Sequence, residues 1–453
     1  MTQDASPLLT DLYQLNMIQA YLDQGETRTA VFEFFMRSLP ARRKFFIAAG
    51  LEQALDYLET LKFSADELDW LKSTGRFGPQ LIDYLASLRF TGDVHAMPEG
   101  TICFPNEPIL RVTAPLPQGQ LIESRAMNIL HFQTLIATKA ARVVLAAGKR
   151  PVVDFGFRRA HGAEAGLMAA RASYIAGFAG TATVLAEKRF GIPTFGTMAH
   201  SFIEAHEDEA TAFENFARAR PNTVTLLIDT YDTETGARKV VALAPRLRQA
   251  GITIRAVRLD SGDLVALSKS VRRILDAGGC SDITIFASGG LDEDAVEAML
   301  RAGAPIDGFG VGTSLTTSSD VPALDCAYKL QDYAGLPRRK RSFGKATWPG
   351  RKQVWRTFGP DGRMAGDVLG LDGDAHAGEP LLQPVMRNGR RVDPSPTLAD
   401  IRGLAQREMA RLPQALRSLA PAATPYPVQV ADSLQKLAAE TDERLARPQS
   451  GAT

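Results

Sequence analysis

The sequence predicts an α/β fold in which parallel strands alternate with helices and close into a barrel. Six short apolar runs between residues 151 and 315 each end in a polar or glycine-rich cluster. Each run is short and β-branched enough for a buried strand, and a stretch with helical periodicity follows it. Such alternation indicates a parallel sheet, and enough of these units form a barrel. The runs are PVVDFGFRR, IPTFGTMAHS, TVTLLIDTYD, TIRAVRLDSGD, TIFASGGLD and DGFGVGTSL.

The composition is that of a soluble globular protein, with 45% hydrophobic and 23% charged residues. At 453 residues the chain is too long for one ordinary core, so two domains are expected. A net charge of +1 gives no overall attraction to nucleic acid or to an anionic membrane. No apolar run approaches the roughly 20 residues that cross a bilayer, and the N-terminus does not resemble a signal peptide.

The three cysteines, Cys103, Cys280 and Cys326, are few, odd in number and far apart. This pattern argues against a disulfide framework or a thiolate zinc site. It is typical of a reducing compartment, so the sequence predicts a cytoplasmic protein.

The segments that flank the strand series predict further α/β structure. Before the series, the pattern indicates helices over 8–22, 51–61, 65–73, 79–88 and 121–147, and strands over 29–36, 93–96 and 108–112. After it, the pattern indicates a strand over 323–333, hairpins over 359–380, and helices over 398–419 and 428–446. We divide the chain into an N-terminal α/β domain (1–120), a barrel domain (121–345), C-terminal segments that complete the N-terminal domain (346–445) and a disordered tail (446–453).

Two glycine-rich turns follow late strands of the series, at SGG (288–290) and GVGTS (310–314). Each turn leaves backbone N–H groups free to surround phosphate oxygens. Either turn alone is weak evidence, but two on successive late strands match the usual phosphate position in such barrels. Arg158 and Arg159 end an earlier strand, where they can bind phosphate or carboxylate; a surface pair is the alternative.

His200 lies in FGTMAHSF, after the run that ends near Phe195. An imidazole there can act as an acid–base group, a metal ligand or a phosphoryl acceptor, although a lone histidine is more often structural. His206 follows six residues later, a spacing that argues against a shared metal site. The sequence therefore predicts no metal site built from protein side chains alone.

The segment RLDSGDL (258–264) combines a basic residue, two carboxylates and a hydroxyl around a glycine turn. The carboxylates of Asp260 and Asp263 suit ribose hydroxyls or a magnesium ion that keeps its waters. The alternative is a helix N-cap, since Asp and Ser before a helical run cap well. Phe155, at the end of an earlier strand, is either a core residue or a ring that stacks on a flat heteroaromatic ligand.

A basic stretch follows the series and contains residues 338–341, Lys345, Arg351 and Lys352. Charge alone favours a solvated surface for these side chains. The alternative is that they line the mouth of a phosphate-rich channel.

Several motifs occur in the order found in nicotinate phosphoribosyltransferases, and the chain resembles that family from residue 8 to residue 360. The motifs are TDLYQLNM, FGFRRAHG, GIPTFGTMAHSF, VRLDSGDL, ASGGLDE, GVGTSL and PGRKQVWR. The resemblance implies an irregular TIM-like α/β barrel, an additional α/β domain built from N- and C-terminal segments, and a homodimer with shared active sites. It also implies that nicotinate and phosphoribosyl pyrophosphate give nicotinate mononucleotide and pyrophosphate. The reaction would be coupled to ATP hydrolysis, with Mg²⁺ bound mainly through substrate phosphates.

The same resemblance implies the site residues. His200 resembles the histidine that ATP phosphorylates, Arg258 the residue that faces the substrate's carboxyl group, and Asp260 a ribose or magnesium partner. Phe155, with Tyr13 of the partner subunit, resembles the aromatic pair that encloses the pyridine ring. The other implied substrate contacts are Arg158, Thr197, Ser261, Gly289, Gly290, Gly310, Gly312, Thr313, Lys345, Arg351 and Lys352.

One departure from the family pattern bears on the acceptor. Where the family usually has a GTSN-type segment, this chain has Gly180, Thr181, Ala182 and Thr183. In related enzymes that use nicotinamide, the corresponding segment resembles a version with an aspartate. The Ala182 side chain cannot accept a hydrogen bond from an amide, which favours nicotinate over nicotinamide as the acceptor. The alternatives are a nicotinamide or quinolinate phosphoribosyltransferase, a phosphate-binding barrel isomerase or lyase, and a non-catalytic nucleotide-binding homologue.

Overall fold

A computed structural model of the protein describes residues 6–342, 344–421 and 424–447. The chain divides into two compact units. Residues 136–322 form one, which we call the central unit. Residues 1–135 and 323–453 form the other, which we call the terminal unit.

The first part of the chain has the predicted helices and strands, with one division. The predicted helix over 121–147 is interrupted at Ile122, so that α6 begins at Glu123 and a short α5 precedes it. Pro117 lies in the first turn of α5, where proline is tolerated. The elements are α1 (Leu12–Asp23), β1 (Thr29–Met36), β2 (Phe46–Ile47), α2 (Leu51–Thr60), α3 (Ala65–Ser73), α4 (Pro79–Ser87), β3 (Asp93–Ala96), β4 (Ile102–Cys103), β5 (Pro108–Pro115), α5 (Leu116–Leu121) and α6 (Glu123–Ala147).

The middle of the chain alternates strands with helices as predicted, except that the second run is not a strand and that Gly180–Thr181 is a strand that was not predicted. Residues 192–195 form only an isolated bridge from Thr194 to Thr181, because Pro193 has no N–H to donate to a ladder. The elements are β6 (Val152–Asp154), α7 (Ala163–Ile175), β7 (Gly180–Thr181), α8 (Val184–Phe190), α9 (His200–Glu204), α10 (Glu209–Ala219), β8 (Val224–Leu227), α11 (Thr233–Gln249), β9 (Ile254–Leu259), α12 (Leu264–Ala277), β10 (Thr284–Ala287), α13 (Glu293–Arg301), β11 (Gly308–Val311) and α14 (Thr313–Thr316).

The six central strands form one parallel sheet in the order β7-β6-β11-β10-β9-β8. All four residues of β11 are buried, as expected for a strand covered on both faces. The predicted α/β class with a parallel sheet is confirmed. Because parallel strands end at the same edge, the loops after β6, β8, β9, β10 and β11 lie on one side of the sheet.

The last part of the chain differs from prediction in two helices. The helix over 398–419 ends at Arg411, because Pro413 disfavours helical geometry at Leu412. The helix over 428–446 begins only at Asp432, since Val428–Val430 pairs with β15 as a strand. The elements are β12 (Cys326–Tyr333), β13 (Leu336–Pro337), β14 (Lys352–Phe358), β15 (Met364–Leu371), β16 (Glu379–Pro380), β17 (Gln383–Arg387), β18 (Arg390–Arg391), α15 (Leu398–Arg411), β19 (Val428–Val430) and α16 (Asp432–Ala446).

The terminal unit is built from both ends of the chain. Its seven-stranded sheet has the order β13-β12-β1-β5-β3-β17-β18, so three N-terminal strands lie in the middle with two C-terminal strands on each side. The predicted hairpins appear as β14 and β15, which pair antiparallel. Residues 448–453 of the predicted disordered tail lie outside the described residues.

Helix α6 is long and apolar enough to cross a membrane by length and composition alone, contrary to the expectation from the sequence. However, 72% of its most apolar window is buried inside the protein, as in the core helix of a soluble protein. This helix is therefore weak evidence for a membrane span.

Candidate active site

Arg258, near the end of β9, joins several of the predicted site residues of the central unit. Its Nε donates to Ser288 Oγ (2.8 Å), and its Nη2 donates to Asp260 Oδ1 (2.6 Å). Its Nη1 donates to Thr197 Oγ1 at 3.4 Å. The guanidinium also lies 5.3 Å from the centroid of the Phe155 ring, within range of a cation–π interaction. A charged group and an aromatic face are thereby presented together at the edge of the sheet.

Asp260 lies between Arg258 and His200. Its Oδ2 is 4.0 Å from His200 Nε2, and its Oδ1 also accepts a short hydrogen bond from Ser288. Burial alone raises the pKa of Asp260, but the Ser288 hydrogen bond and the Arg258 charge outweigh it and hold the pKa below its usual value. Asp260 is therefore a carboxylate at neutral pH.

His200 begins α9, and its two ring nitrogens face the loops that follow neighbouring strands. Nδ1 lies 3.1 Å from Thr230 Oγ1, in the loop after β8, while Nε2 faces Asp260. The half-buried imidazole is open enough to react with a ligand. Thr230 had no predicted role, and only its place after a strand could have indicated one.

Asp229 also follows β8 and supports the 260–261 turn. Its Oδ2 accepts from the backbone N–H of Asp260 (2.8 Å) and from Ser261 Oγ (2.7 Å). Its Oδ1 is buried and has no hydrogen-bond partner. Asp229 lies in the predicted run TVTLLIDTYD, but the sequence predicted no role for it.

Asp263 caps α12 by accepting hydrogen bonds from the backbone N–H groups of Val265 and Ala266, as the N-cap alternative predicted.

The first glycine turn packs directly against the Asp260 loop. Gly289 has φ +92°, and a Cβ added there would lie 1.9 Å from the Asp260 carbonyl oxygen. Gly290 has φ +65° and open space around it. Position 289 thus requires glycine because the Asp260 backbone lies so close to it, whereas the space around Gly290 is free for a ligand.

The second glycine turn packs against Phe155. A Cβ on Gly310 would lie 2.5 Å from the Phe155 ring, and one on Gly312 would lie 2.9 Å from the Phe155 carbonyl oxygen. Gly310 lies within β11 itself, so the ring, rather than a phosphate, explains its missing side chain. The exposed Thr313 follows at the start of α14.

Asp154, at the end of β6, is a buried carboxylate that sequence reasoning missed. Its Oδ1 accepts from the Gly156 N–H (2.8 Å) and its Oδ2 from Thr181 Oγ1 (2.7 Å). Burial raises the pKa of Asp154. The backbone N–H of Ala182 donates to the Asp154 carbonyl oxygen, and the Thr183 hydroxyl is buried without a partner. The carboxylate within the apolar run VVDFG was the available signal.

The remaining predicted residues are exposed or belong to the terminal unit. Arg158 and Ser261 are exposed in the central unit. Tyr13, Lys345 and Arg351 are exposed in the terminal unit.

Lys352 differs from its predicted place in a basic channel. It is 2% exposed and forms an ion pair with Glu33 (2.7 Å). Its ammonium also donates to the carbonyl oxygens of Trp348 (2.7 Å) and Gly350 (3.0 Å). All three donors are occupied, so Lys352 is a core residue of the terminal unit.

Within residues 6–342, 344–421 and 424–447, no group of three or more His, Cys, Asp or Glu side chains could hold a metal ion. A metal that is held mainly by ligand phosphates needs only one or two carboxylates from the protein. Asp260, together with the unpartnered oxygen of Asp229, provides such carboxylates at the sheet edge.

A parallel α/β sheet with a histidine, an arginine and carboxylates at one edge, beside glycine turns, defines an enzyme of the α/β class that is suited to anionic ligands. Residues 8–131 match the nicotinate phosphoribosyltransferase (NAPRTase) N-terminal domain, residues 151–334 match the NAPRTase family, and residues 374–438 match the NAPRTase C-terminal domain. The chain belongs to the nicotinate phosphoribosyltransferase family.

Individual relatives agree with this membership. The chain is 50% identical to the nicotinate phosphoribosyltransferase pncB2 of Mycobacterium tuberculosis, over 95% of this chain and 93% of that protein. It is 42% identical to the nicotinate phosphoribosyltransferase of Bacillus subtilis, over 81% and 76% of the two chains. Among solved structures, human nicotinic acid phosphoribosyltransferase matches with a TM-score of 0.85 and 29% identity, over 95% and 99% of the two chains.

Proposed function

We propose that this protein is a nicotinate phosphoribosyltransferase that joins nicotinate to the ribose of phosphoribosyl pyrophosphate. The products are nicotinate mononucleotide and pyrophosphate, and ATP and water are converted to ADP and phosphate in the same cycle. Family membership and the Arg258–Asp260–His200 arrangement beside Phe155 carry this proposal. The reaction contributes to the biosynthesis of pyridine nucleotides.

The acceptor ring binds against Phe155, and Arg258 faces its carboxylate. Arg258 already lies over the Phe155 ring, so one side chain can attract the carboxylate while the other covers the ring face. Tyr13 of the partner subunit covers the opposite face. Ala182 offers no side-chain acceptor for an amide, which favours nicotinate over nicotinamide.

The phosphates of the second substrate bind at the glycine turns. The open positions in these turns are Gly290 and Thr313. Arg158, which is exposed and follows β6 in the sequence, is a further phosphate contact. Asp260 and Asp229 would hold Mg²⁺ together with the substrate, and Mg²⁺ neutralises charge on a pyrophosphate leaving group. The pyridine nitrogen forms a bond to the ribose C1 as the C–O bond to pyrophosphate breaks, and the electron pair leaves with pyrophosphate.

ATP acts through His200. An imidazole nitrogen forms a bond to the γ-phosphorus of ATP, the bond to the bridging oxygen breaks, and ADP leaves. The Asp260 carboxylate orients the ring, and Arg258 balances the negative charge that the phosphohistidine adds. Hydrolysis of the phosphohistidine then releases phosphate and resets the site.

The architecture and assembly follow the family. The central sheet belongs to an irregular TIM-like barrel within the predicted domain 121–345, and the TM-score of 0.85 to the human enzyme supports this assignment. The segments 1–120 and 346–445 form the accompanying domain. A homodimer with shared active sites is supported by exposed apolar side chains in each unit, among them Leu12 and Val184. Sedimentation equilibrium that finds only monomer would contradict the homodimer.

The cell compartment is the cytoplasm. Cys103, Cys280 and Cys326 are all free thiols, which supports a reducing environment. Recovery of the native protein in an extracellular or periplasmic fraction would contradict this assignment.

A product assay tests the function directly. Purified protein is incubated with phosphoribosyl pyrophosphate, Mg²⁺ and one of nicotinate, nicotinamide or quinolinate, with and without ATP. We expect nicotinate mononucleotide to form, with faster turnover when ATP is present. Preference for nicotinamide or quinolinate, or no mononucleotide from any of the three acceptors, would rule out the proposed activity.

A further inference from the structure

A buried cluster of four charged residues lies in the central unit outside the site described above. Lys139 Nζ contacts Glu293 Oε2 (2.5 Å) and Asp320 Oδ1 (2.8 Å). Arg142 Nε contacts the other oxygen of Glu293 at 2.9 Å. The side chains of Lys139, Glu293 and Asp320 are 2%, 1% and 15% exposed. Both oxygens of Glu293 are therefore engaged by cations of one helix, α6.

The two carboxylates belong to the segments that follow the two glycine turns. Glu293 is the first residue of α13, which begins directly after the 288–290 turn. Asp320 follows α14, which begins in the 310–314 turn. The ammonium of Lys139 thus links the segment after one turn with the segment after the other. A second link is direct, because Ser314 Oγ donates to the Leu291 carbonyl oxygen (2.7 Å).

The four side chains comprise two cations and two carboxylates. Burial alone raises the pKa of Glu293, but the charges of Lys139 and Arg142 outweigh it and hold the pKa below its usual value. A buried ion pair of this kind is weak evidence for stability, because desolvation offsets much of the attraction. Its geometric effect is clear, since the carboxylates of Glu293 and Asp320 both lie within 2.8 Å of the same nitrogen, Lys139 Nζ.

We propose that Lys139 is a positioning residue that sets the spacing between the 288–290 and 310–314 turns for the phosphate groups of one substrate. This inference rests on the proposed function, in which both turns bind phosphoribosyl pyrophosphate. Preorganised donors lose much of their effect when they move by about 1 Å. Loss of the Lys139 link therefore weakens binding of phosphoribosyl pyrophosphate and leaves nicotinate binding unchanged.

The test uses Asp320→Asn as the main variant, because Asp320 is the least buried member and its loss leaves the pair of Lys139 with Glu293 intact. Asp320→Glu keeps the charge and serves as the conservative rescue. Lys139→Met removes the link completely. Lys239→Met is the matched control, since Lys239 forms a lysine–glutamate pair with Glu209 (3.0 Å) between α11 and α10 of the same unit.

KM for each substrate and the Kd for phosphoribosyl pyrophosphate by calorimetry are measured at a temperature where each variant is folded. For Asp320→Asn we expect KM and Kd for phosphoribosyl pyrophosphate to rise about tenfold, as for a displaced binding group. KM for nicotinate stays at the wild-type value, and Asp320→Glu lies close to wild type. Lys239→Met lowers the melting temperature and changes neither KM.

An unchanged Kd for phosphoribosyl pyrophosphate in Asp320→Asn and in folded Lys139→Met overturns the inference, and a lowered melting temperature alone would then mark the cluster as structural. The calorimetric test is independent of turnover. Wild-type protein that binds phosphoribosyl pyrophosphate but makes no nicotinate mononucleotide overturns only the proposed function. Wild-type protein that does not bind it overturns both.

Discussion

Arg258 combines three hydrogen bonds and a ring contact in one side chain. Its planar fork reaches Ser288 and Asp260, and its third donor reaches Thr197. A lysine carries the same charge but has a single donor centre, so it cannot reproduce this fork. The site therefore depends on the guanidinium shape as well as on its charge.

Replacement of Arg258 by lysine should lower kcat/KM for nicotinate by about 100-fold, as when one preorganised donor is removed from a site. Steady-state kinetics with nicotinate as the varied substrate measures the change. Arg255→Lys is the control, because Arg255 lies on the same strand and donates to the Asn222 carbonyl oxygen. Equal kinetics for Arg258→Lys and wild type would contradict the assignment.

Replacement of His200 by alanine should abolish the acid-labile label that γ-labelled ATP leaves on the protein, together with stimulation of the reaction by ATP. His206→Ala is the control, because its ring contacts Phe202 and its Nδ1 lies 2.8 Å from the Phe202 carbonyl oxygen. Labelling of wild type and His206→Ala, but not of His200→Ala, is the expected result. Label retained on His200→Ala would place the phosphoryl group elsewhere.

At the scale of single elements, the loops after the strands are held by side-chain carboxylates. Asp154 fixes the loop after β6 through the Gly156 N–H and the Thr181 hydroxyl. Asp229 fixes the loop after β9 through the Asp260 N–H and the Ser261 hydroxyl. The backbone hydrogen bonds between strands stop where the strands end. The side-chain hydrogen bonds take their place in the loops, so the loops keep a defined geometry.

The two glycines of the 288–290 turn allow a matched comparison. Gly289→Ala forces a Cβ to 1.9 Å from the Asp260 carbonyl oxygen, so either the turn or the Asp260 loop must move. Gly290→Ala meets nothing within 4 Å and carries only the backbone strain of a positive φ, about 1 kcal/mol. We expect kcat/KM for phosphoribosyl pyrophosphate to fall about 100-fold in Gly289→Ala and only several-fold in Gly290→Ala.

Circular dichroism confirms that both glycine variants are folded before the kinetics are compared. Similar losses in the two variants would mean that the close approach of the turn to the Asp260 loop has no part in activity.

At the scale of the terminal unit, His95 lies where N- and C-terminal strands meet. On β3 it pairs with Arg111 of β5 on one side and Pro384 of β17 on the other. Burial and the charges of Arg111 and Arg387 lower the pKa of His95 to about 4, although Asp372 and Asp93 oppose the shift. His95 therefore stays neutral in the folded protein at pH values where an unfolded chain would be protonated.

The sign of the pH effect follows from this lowered pKa. Between the unfolded pKa of about 6.5 and the folded pKa of about 4, only the unfolded chain binds the proton, so stability falls as the pH is lowered. His95→Asn should reduce the difference in melting temperature between pH 7 and pH 5 relative to wild type. His161→Asn, at an exposed site, should leave that difference unchanged. An equal pH dependence in wild type and His95→Asn would contradict this role.

Some strands could be predicted from the sequence and others could not, for physical reasons. Strand–helix alternation is a local pattern, and five of the six central strands were predicted because each is a short apolar run bounded by turn residues. The run at 192–195 failed because its one bridge depends on a distant partner, Thr181. Strand β19 was mistaken for helix because its pairing with β15 overrides a local preference.

The amino-acid sequence by itself determined the parallel α/β class, the family and the strand-end groups His200, Arg258 and Asp260, because each is carried by a contiguous motif. Tertiary structure alone decided which groups touch: that Asp260 bridges Arg258 to His200, that Gly310 makes room for Phe155, and that Lys352 is buried against Glu33. Such contacts join residues far apart in the chain, and no local pattern of side chains specifies the distance between them.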